Sequence, residues 1–240
     1  MPKPSLWGDI ADTLTAEVGR GGYGPGDKLP SEAELSLRFG VNRQTVRRAL
    51  AHLAGQGLLH ARRGAGVFVA ARPTEYPLGQ RVRFAQAVQA GGQSPSRRFL
   101  RRETRSAAQE EARLLGLTDG AQVHVVEGIS LADGLPLAAF QSVFPALRFA
   151  GLLQRLDSTL SITQALRDEG LADYTRASTR IVADRAGAAL AGLLHLPEGA
   201  PVLRTKAVNV DAFGQPVEFG TTWFAGDRVT LTVGPDECEK

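Results

Sequence analysis

The apolar residues of the first 70 positions fall into three helical rhythms and one pair of short extended runs. Leu6, Trp7, Ile10, Leu14 and Val18 recur three or four apart behind Ser5, a good N-cap residue, and Gly19, Gly21 and Gly22 end the segment. Tyr23 to Asp27 is rich in turn formers. Ser31, with Glu34 three positions on, has the spacing of a capping box, in which side chain and backbone satisfy each other's free N–H groups. Leu35 and Phe39 then share one face of a two-turn helix that Gly40 stops, leaving Val41 as an apolar residue of the turn. Asn42 caps a third helix whose stripe is Val46, Leu50 and Leu53; Arg43, Gln44, Arg47 and Arg48 fall mostly outside it, and Gly55 and Gly57 end it. Leu58-Leu59 and Val67-Phe68-Val69 bracket a basic, glycine-bearing tip, Arg62 to Gly66, which predicts a hairpin. Two short helices, a tight turn between them and a hairpin after them make a winged helix-turn-helix, with the first helix as core support.

Residues 70–79, AARPTEYPLG, hold two prolines among turn formers and predict a linker between two domains. Beyond it the pattern predicts a short helix from about Val82 to Ala90, an extended basic strand from Arg97 to Thr104 and a helix from Ala107 to Leu115. An internal duplication follows. Leu115-Gly-Leu117-Thr-Asp-Gly120-Ala-Gln-Val123 resembles Leu194-His-Leu196-Pro-Glu-Gly199-Ala-Pro-Val202, and each copy lies between an Ala/Leu-rich helix and a strand–turn–strand. Leu117 to Pro136 spans 19 residues and Leu196 to Pro216 spans 20, the extra one falling in the turn; from each proline to Phe144 or Phe224 is 8. Self-similarity of this kind predicts two helix-plus-hairpin units in one antiparallel sheet. The fold class is α+β.

Composition narrows the function. The net charge is +3, but its distribution is uneven: residues 1–72 hold ten Lys and Arg against six Asp and Glu, the remainder 18 against 19. Between Leu35 and Thr74 stand seven arginines and no acidic residue. Such a run can be a solvated face; lying on a helix-turn-helix with a wing, it points to neutralised DNA phosphates. No stretch approaches 18 apolar residues, no basic-then-apolar signal pattern stands at the N-terminus, and the single cysteine, Cys238, rules out an internal disulfide. His52, His60, His124 and His195 lack metal-ligand spacing, and no nucleophile–base motif is present. The expectation is a cytoplasmic, non-enzymatic protein with no metal and no cofactor.

The elements GDKLPSEAEL and FGVNRQTVRRAL, with the Gly-x-Gly wing, resemble the DNA-binding domain of the GntR superfamily of bacterial transcription regulators. The resemblance implies that the third helix enters the major groove of a double-stranded operator. Carried over by position, Arg43 and Arg47 are the main contacts, Gln44 and Thr45 further base or phosphate contacts, Arg48 a weaker one, with Ser31 at the leading cap. Arginine can fork onto guanine in a way lysine cannot. Gly66 would let the wing backbone approach the minor groove. The family often carries a basic residue directly after the PSE triplet; Ala33 stands there, so one contact is missing.

The second half resembles the effector domain of the HutC branch, and FPALRFAGL, SITQAL, DYTRASTRI and PVEFGTTWFAGDR resemble the PhnF-type regulators of phosphonate metabolism. That implies a C-terminal chorismate lyase-like (UTRA) α/β domain over residues 80–236, behind a winged helix-turn-helix domain over 1–70 and a linker over 71–79. It also implies a homodimeric repressor of phosphonate uptake and degradation genes, released by a small anionic effector: a phosphonate, phosphate or phosphate ester.

Ser161, with Gln164 in a second capping box, starts a helix that also holds Thr163; in the branch this position lies in the effector pocket, although the same residues read as a plain structural cap. Glu218 has Ala138 as its repeat counterpart while its neighbours stay apolar, and the branch's glutamate bonds effector hydroxyl or amine groups; an ordinary solvent-facing strand residue is the other reading. Phe224, and more weakly Trp223, can wall a pocket or pack the core. Arg81, Arg83 and Arg180 are candidate cations. Sugar-phosphate sensors carry basic residues where this chain has Gly128 and Ser130, and a polar residue where it has Ala85, which argues for a different anion. Three classes stay open: an effector-responsive repressor, sensing a phosphonate or another small molecule; a chorismate lyase-like enzyme; and a constitutive DNA-binding protein. Arg47→Ala is expected to cost roughly 1–3 kcal/mol of operator binding without changing effector affinity; unchanged binding in a mobility-shift titration would refute the groove assignment.

Overall fold

The computed structural model describes residues 6–24, 26–56, 58–62, 66–70, 73–79 and 84–233. It divides into two compact units, Met1–Arg72 and Pro73–Lys240. In the first unit, α1 (Leu6–Gly19), α2 (Glu32–Phe39) and α3 (Arg43–Gly55) precede β1 (Leu59–Arg62) and β2 (Gly66–Val69). The helical stripes converge: Ile10 and Leu14, Leu35, and Val46, Leu50 and Leu53 share one core with Leu59 and Val69. The caps set the helix starts. Ser31 N–H donates to Glu34 Oε2 at 2.7 Å while Glu34 N–H donates to Ser31 Oγ at 3.3 Å. Asn42 Oδ1 accepts from Thr45 N–H at 2.8 Å. Gly40 stops α2 at φ 63°, a left-handed conformation that costs glycine no Cβ clash. β1 and β2 pair antiparallel, and Lys28 bridges to Phe68 as a third partner.

The second unit begins earlier than the linker reading placed it. Thr74–Pro77, inside AARPTEYPLG, is a strand, β3, with Thr74 and Tyr76 buried in alternation. The prolines did not prevent this, because β3 has one strand partner and Pro77 lies at its end. After β3 come α4 (Phe84–Ala90), β4 (Pro95–Ser106), α5 (Gln109–Leu115), β5 (Gln122–Ala132) and β6 (Leu135–Pro145). Then follow α6 (Leu152–Ser158), α7 (Ile162–Asp168), β7 (Thr175–Arg185), α8 (Ala188–Leu194), β8 (Pro201–Val210), β9 (Pro216–Ala225) and β10 (Val229–Thr232). β10 pairs parallel with β3; the main sheet has six antiparallel strands in the order β4-β5-β6-β9-β8-β7.

That order is the duplication in three dimensions. Each half runs strand, helix, strand, strand, as β4-α5-β5-β6 and β7-α8-β8-β9, and the halves join where β6 pairs with β9 from Ala138↔Phe224 to Val143↔Phe219. The repeat therefore reaches further than the helix-plus-hairpin motif, since the edge strands belong to it. The 79 positions from Leu115 to Leu194 also carry Ser106↔Gln122 onto Arg185↔Pro201 and Arg97↔Ser130 onto Arg176↔Asn209. One face of the sheet is covered by α5 and α8, with Ile129, Ala139, Leu194 and Trp223 in one cluster and Val125, Val143 and Phe219 in another. The other lies under α6 and α7, where Phe144, Leu152 and Leu166 pack, and under α4 with β3 and β10. Arg228, 3% exposed, ties the halves by donating from Nη1 to the Pro136 and Leu194 carbonyls and from Nη2 to that of His195.

The repeat carries one local cost. α5 ends on Gly116 at φ 66°, whereas α8 ends on the equivalent His195 at φ 51°. A Cβ in the left-handed region costs roughly 1–2 kcal/mol, and His195 is exposed. His195→Gly is expected to raise the stability of this unit by about 1 kcal/mol, read as a higher urea midpoint at unchanged slope; a lower midpoint would refute the account of this cap.

Candidate functional site

Two sets of polar side chains stand out, one in each unit. On α3, burial of Val46, Ala49, Leu50 and Leu53 turns the opposite face outward, and Arg43, Gln44 and Arg47 are exposed on it, with Thr45 half-buried. These side chains are not equally available. Arg47 forks onto Glu32 of α2, Nε to Oε1 at 3.1 Å and Nη2 to Oε2 at 2.8 Å. The hydrogen bond from Arg47 holds the Glu32 carboxyl below its usual range. Thr45 Oγ1 donates to Asn42 Oδ1 at 2.9 Å, so its hydroxyl reinforces the cap. Arg48 lies 4.8 Å above the Trp7 ring and braces α3 against α1. Ser31 Oγ is occupied in its capping box. Gly66 has φ 119°, and a Cβ there would meet Lys28 Cε at 2.7 Å, so glycine is required first by the local backbone. The wing residues Arg63, Gly64 and Ala65 lie outside the described residues.

The second set lines a cavity of about 110 Å³ on the α4/α7 face of the main sheet. Its floor takes Ser130 and Ser142 from β5 and β6, Thr205 and Asn209 from β8, and Glu218, Thr222 and Phe224 from β9. Tyr76, Phe84, Thr163 and Tyr174 close it from above, and Thr163 Oγ1 lies 3.0 Å from Tyr174 Oη. The edge strands each send in one arginine, Arg97 from β4 and Arg176 from β7. In both, Nε is shut off from solvent and has no hydrogen-bond partner. The Arg97 guanidinium sits 4.9 Å over the Phe140 ring, and burial pulls it below the ordinary guanidinium value, opposed by the Glu218 carboxylate. Burial likewise pushes the Tyr76 phenol up. Glu218 is 9% exposed and accepts from Asn209 Nδ2 at 2.7 Å.

The sequence candidates divide on this geometry. Glu218, Thr163 and Phe224 are on the wall. Ser161 is not: it is exposed, its Oγ accepts from Gln164 N–H at 3.2 Å, and Gln164 Nε2 donates to Asp168 rather than completing a capping box. α7 is only seven residues long, so its N-terminus presents little dipole. Trp223 points to the opposite face, as strand alternation requires of a neighbour of Phe224. Arg180 is exposed on β7, and Arg81 and Arg83 lie outside the described residues. Gly128 is filled by its cross-strand partner: a Cβ there would meet Phe140 Cζ at 2.8 Å, so Phe140 stands where a longer residue would project. The reading from sequence passed over Arg97, Arg176 and Asn209. The signal was there, because the 79-residue offset carries Arg97 onto Arg176.

Comparison with known proteins gives these sites a family. Residues 6–69 match the family model for bacterial regulatory proteins of the gntR family, and residues 90–230 match the UTRA domain. The chain is 38% identical over 230 residues to an uncharacterised HTH-type transcriptional regulator, RB1450, of Rhizobium meliloti (strain 1021), covering 95% of this chain and 94% of the relative. It is 34% identical over 231 residues to the probable transcriptional regulator PhnF of Escherichia coli (strain K12), covering 96% and 95%. The crystal structure of PhnF from Mycobacterium smegmatis superposes with a TM-score of 0.65 at 27% identity, over 98% of this chain and all of that one. Family models that together span both units, with relatives above 30% identity along nearly the whole length, leave one reading: the chain belongs to the GntR family, HutC subfamily, as a DNA-binding transcription regulator with a UTRA effector domain and not as an enzyme.

Proposed function

We propose that this regulator is a homodimeric repressor of genes for phosphonate uptake and degradation, released by a small phosphorus-containing anion. The observation that carries the effector reading is the pair of guanidiniums with unpartnered, desolvated Nε–H groups facing one cavity. Buried donors of that kind are costly unless a ligand completes them, and arginine forks match phosphonate and phosphate oxygens. The Escherichia coli relative at 34% identity is the probable transcriptional regulator PhnF, and a Mycolicibacterium smegmatis relative at 31% is the transcriptional repressor PhnF. Effector binding acts by favouring one arrangement of the paired DNA-binding units, and can do so only through a difference in affinity between arrangements. In the DNA complex Arg43 and Arg47 reach base edges, Gln44 and Thr45 assist, and Arg48, Ser31 and Gly66 position the helix and the wing.

Two outcomes are expected. In a thermal-shift screen of the full chain against phosphonates, inorganic phosphate and phosphate esters, the ligand raises Tm and weakens operator binding. Arg97→Gln and Arg176→Gln each lose both responses; a full response in both variants would place the effector elsewhere. Glu32→Gln releases Arg47 from a solvent-screened pair of little strength and removes an acid from the DNA-facing surface. Affinity for random-sequence DNA should rise and the ratio of operator to random binding should fall, measured by competition at fixed salt; an unchanged ratio would show that Glu32 does not restrain the arginine.

A further inference from the structure

The cavity has two electrical poles, and the repeat shows how they arise. Arg97 and Arg176 occupy equivalent positions, each across from the strand that follows its helix, Arg97↔Ser130 and Arg176↔Asn209. The third position of each row differs: Ser130 faces Ala138, whereas Asn209 faces Glu218. The cation is duplicated and the acid is not. One half of the floor ends in a methyl group and the other in a buried carboxylate.

These charges do not cancel one another by contact. Among the described residues, neither Arg97 nor Arg176 forms an ion pair, and the one hydrogen bond to Glu218 comes from Asn209 Nδ2, on Oε2. Glu218 lines the cavity beside Tyr76, Phe84 and Phe224. A carboxylate held this way stabilises a cation or a strong donor beside it far more than a solvated one would. Among the described residues, the cavity carries two positive charges and one negative. A phosphonate near its second ionisation brings about −2, which leaves the filled site negative. An added ammonium restores neutrality, and burial penalises any net charge left over.

We infer that the effector is a small zwitterion, a tetrahedral anion bound by Arg97 and Arg176 joined through a short aliphatic spacer to an ammonium that Glu218 accepts. This rests on the cavity being the effector site, and it adds the second pole. Glu218 acts as the specificity-determining residue: it admits an amino-substituted anion and repels a plain one. Asn209 is a positioning residue that fixes the carboxylate, leaving Oε1 for the ligand. The cavity, about 110 Å³, suits a compact ligand with a spacer of a few carbons.

The test is calorimetric titration of the full chain with 2-aminoethylphosphonate, ethylphosphonate and β-alanine. The expected result is that 2-aminoethylphosphonate binds at least about tenfold more tightly than ethylphosphonate, as a charge-assisted contact should provide. In Glu218→Gln that ratio falls below about threefold, while the urea midpoint reports that the variant is folded. Equal affinity of the wild-type chain for the two phosphonates overturns the inference and leaves the anion site standing. A preference for β-alanine keeps the zwitterion and overturns the phosphonate reading. Binding of 2-aminoethylphosphonate that neither Arg97→Gln nor Glu218→Gln weakens overturns the site itself, and no binding by any probe overturns both.

Discussion

The hydrogen-bonded seam between β6 and β9 is the constraint on which the second unit depends. Ala138 to Val143 pairs with Phe219 to Phe224, and through that ladder two strand–helix–hairpin halves become one sheet. Neither half could bury both of its faces alone, because each brings one helix of seven residues. Joined, they place α5 and α8 on one face, while the segment between the halves and the two ends of this unit cover the other. Arg228 fastens the arrangement at backbone carbonyls of both halves, where a side chain of different shape would leave those acceptors unpaired.

The seam also explains why a polar cavity survives in a packed domain. Alternation along β6, β8 and β9 sends one set of side chains to the apolar face and the other toward α4 and α7. On that second face, Ser142, Thr205, Asn209 and Thr222 are short and polar, and the space they leave is reached by the two arginines from the outer strands. Apolar residues of similar volume would pack there at lower cost, since shutting two guanidinium Nε–H groups and a carboxylate away from water is expensive. Their cost is not offset by stability, which is why we propose a ligand for this cavity. On α3 the reverse holds: Arg47 is exposed, at 62% of its side-chain surface, and its partner Glu32 is half-buried, at 33%, so the pair can be broken at small cost.

Much of the first unit was legible in the chain, because its information is local. Ser31 with Glu34, Asn42, Gly40 and the stripe at Val46, Leu50 and Leu53 each specify geometry within one or two turns, and the caps and core follow them. The second unit was legible where it repeats itself: the matching of Leu115 to Val123 with Leu194 to Val202 predicts the hairpins and the single sheet. Glu218 was visible for the same reason, as an acid where the other copy has alanine.

What the tertiary structure decided is which side chains share a space. Arg97 and Arg176 lie 79 positions apart on opposite edges of the sheet, and in sequence each is one arginine among many. Ser161 carries a sound local signal, yet its hydroxyl is spent on its own helix and it stays outside the cavity. AARPTEYPLG has the composition of a linker, yet Thr74–Pro77 gains a strand partner from the far end of the chain, Val229–Thr232. The physical reason is common to all three. Caps, stripes and turns are written by neighbours a few residues apart, whereas a cavity and a strand pair are made by residues that only the closed sheet brings together.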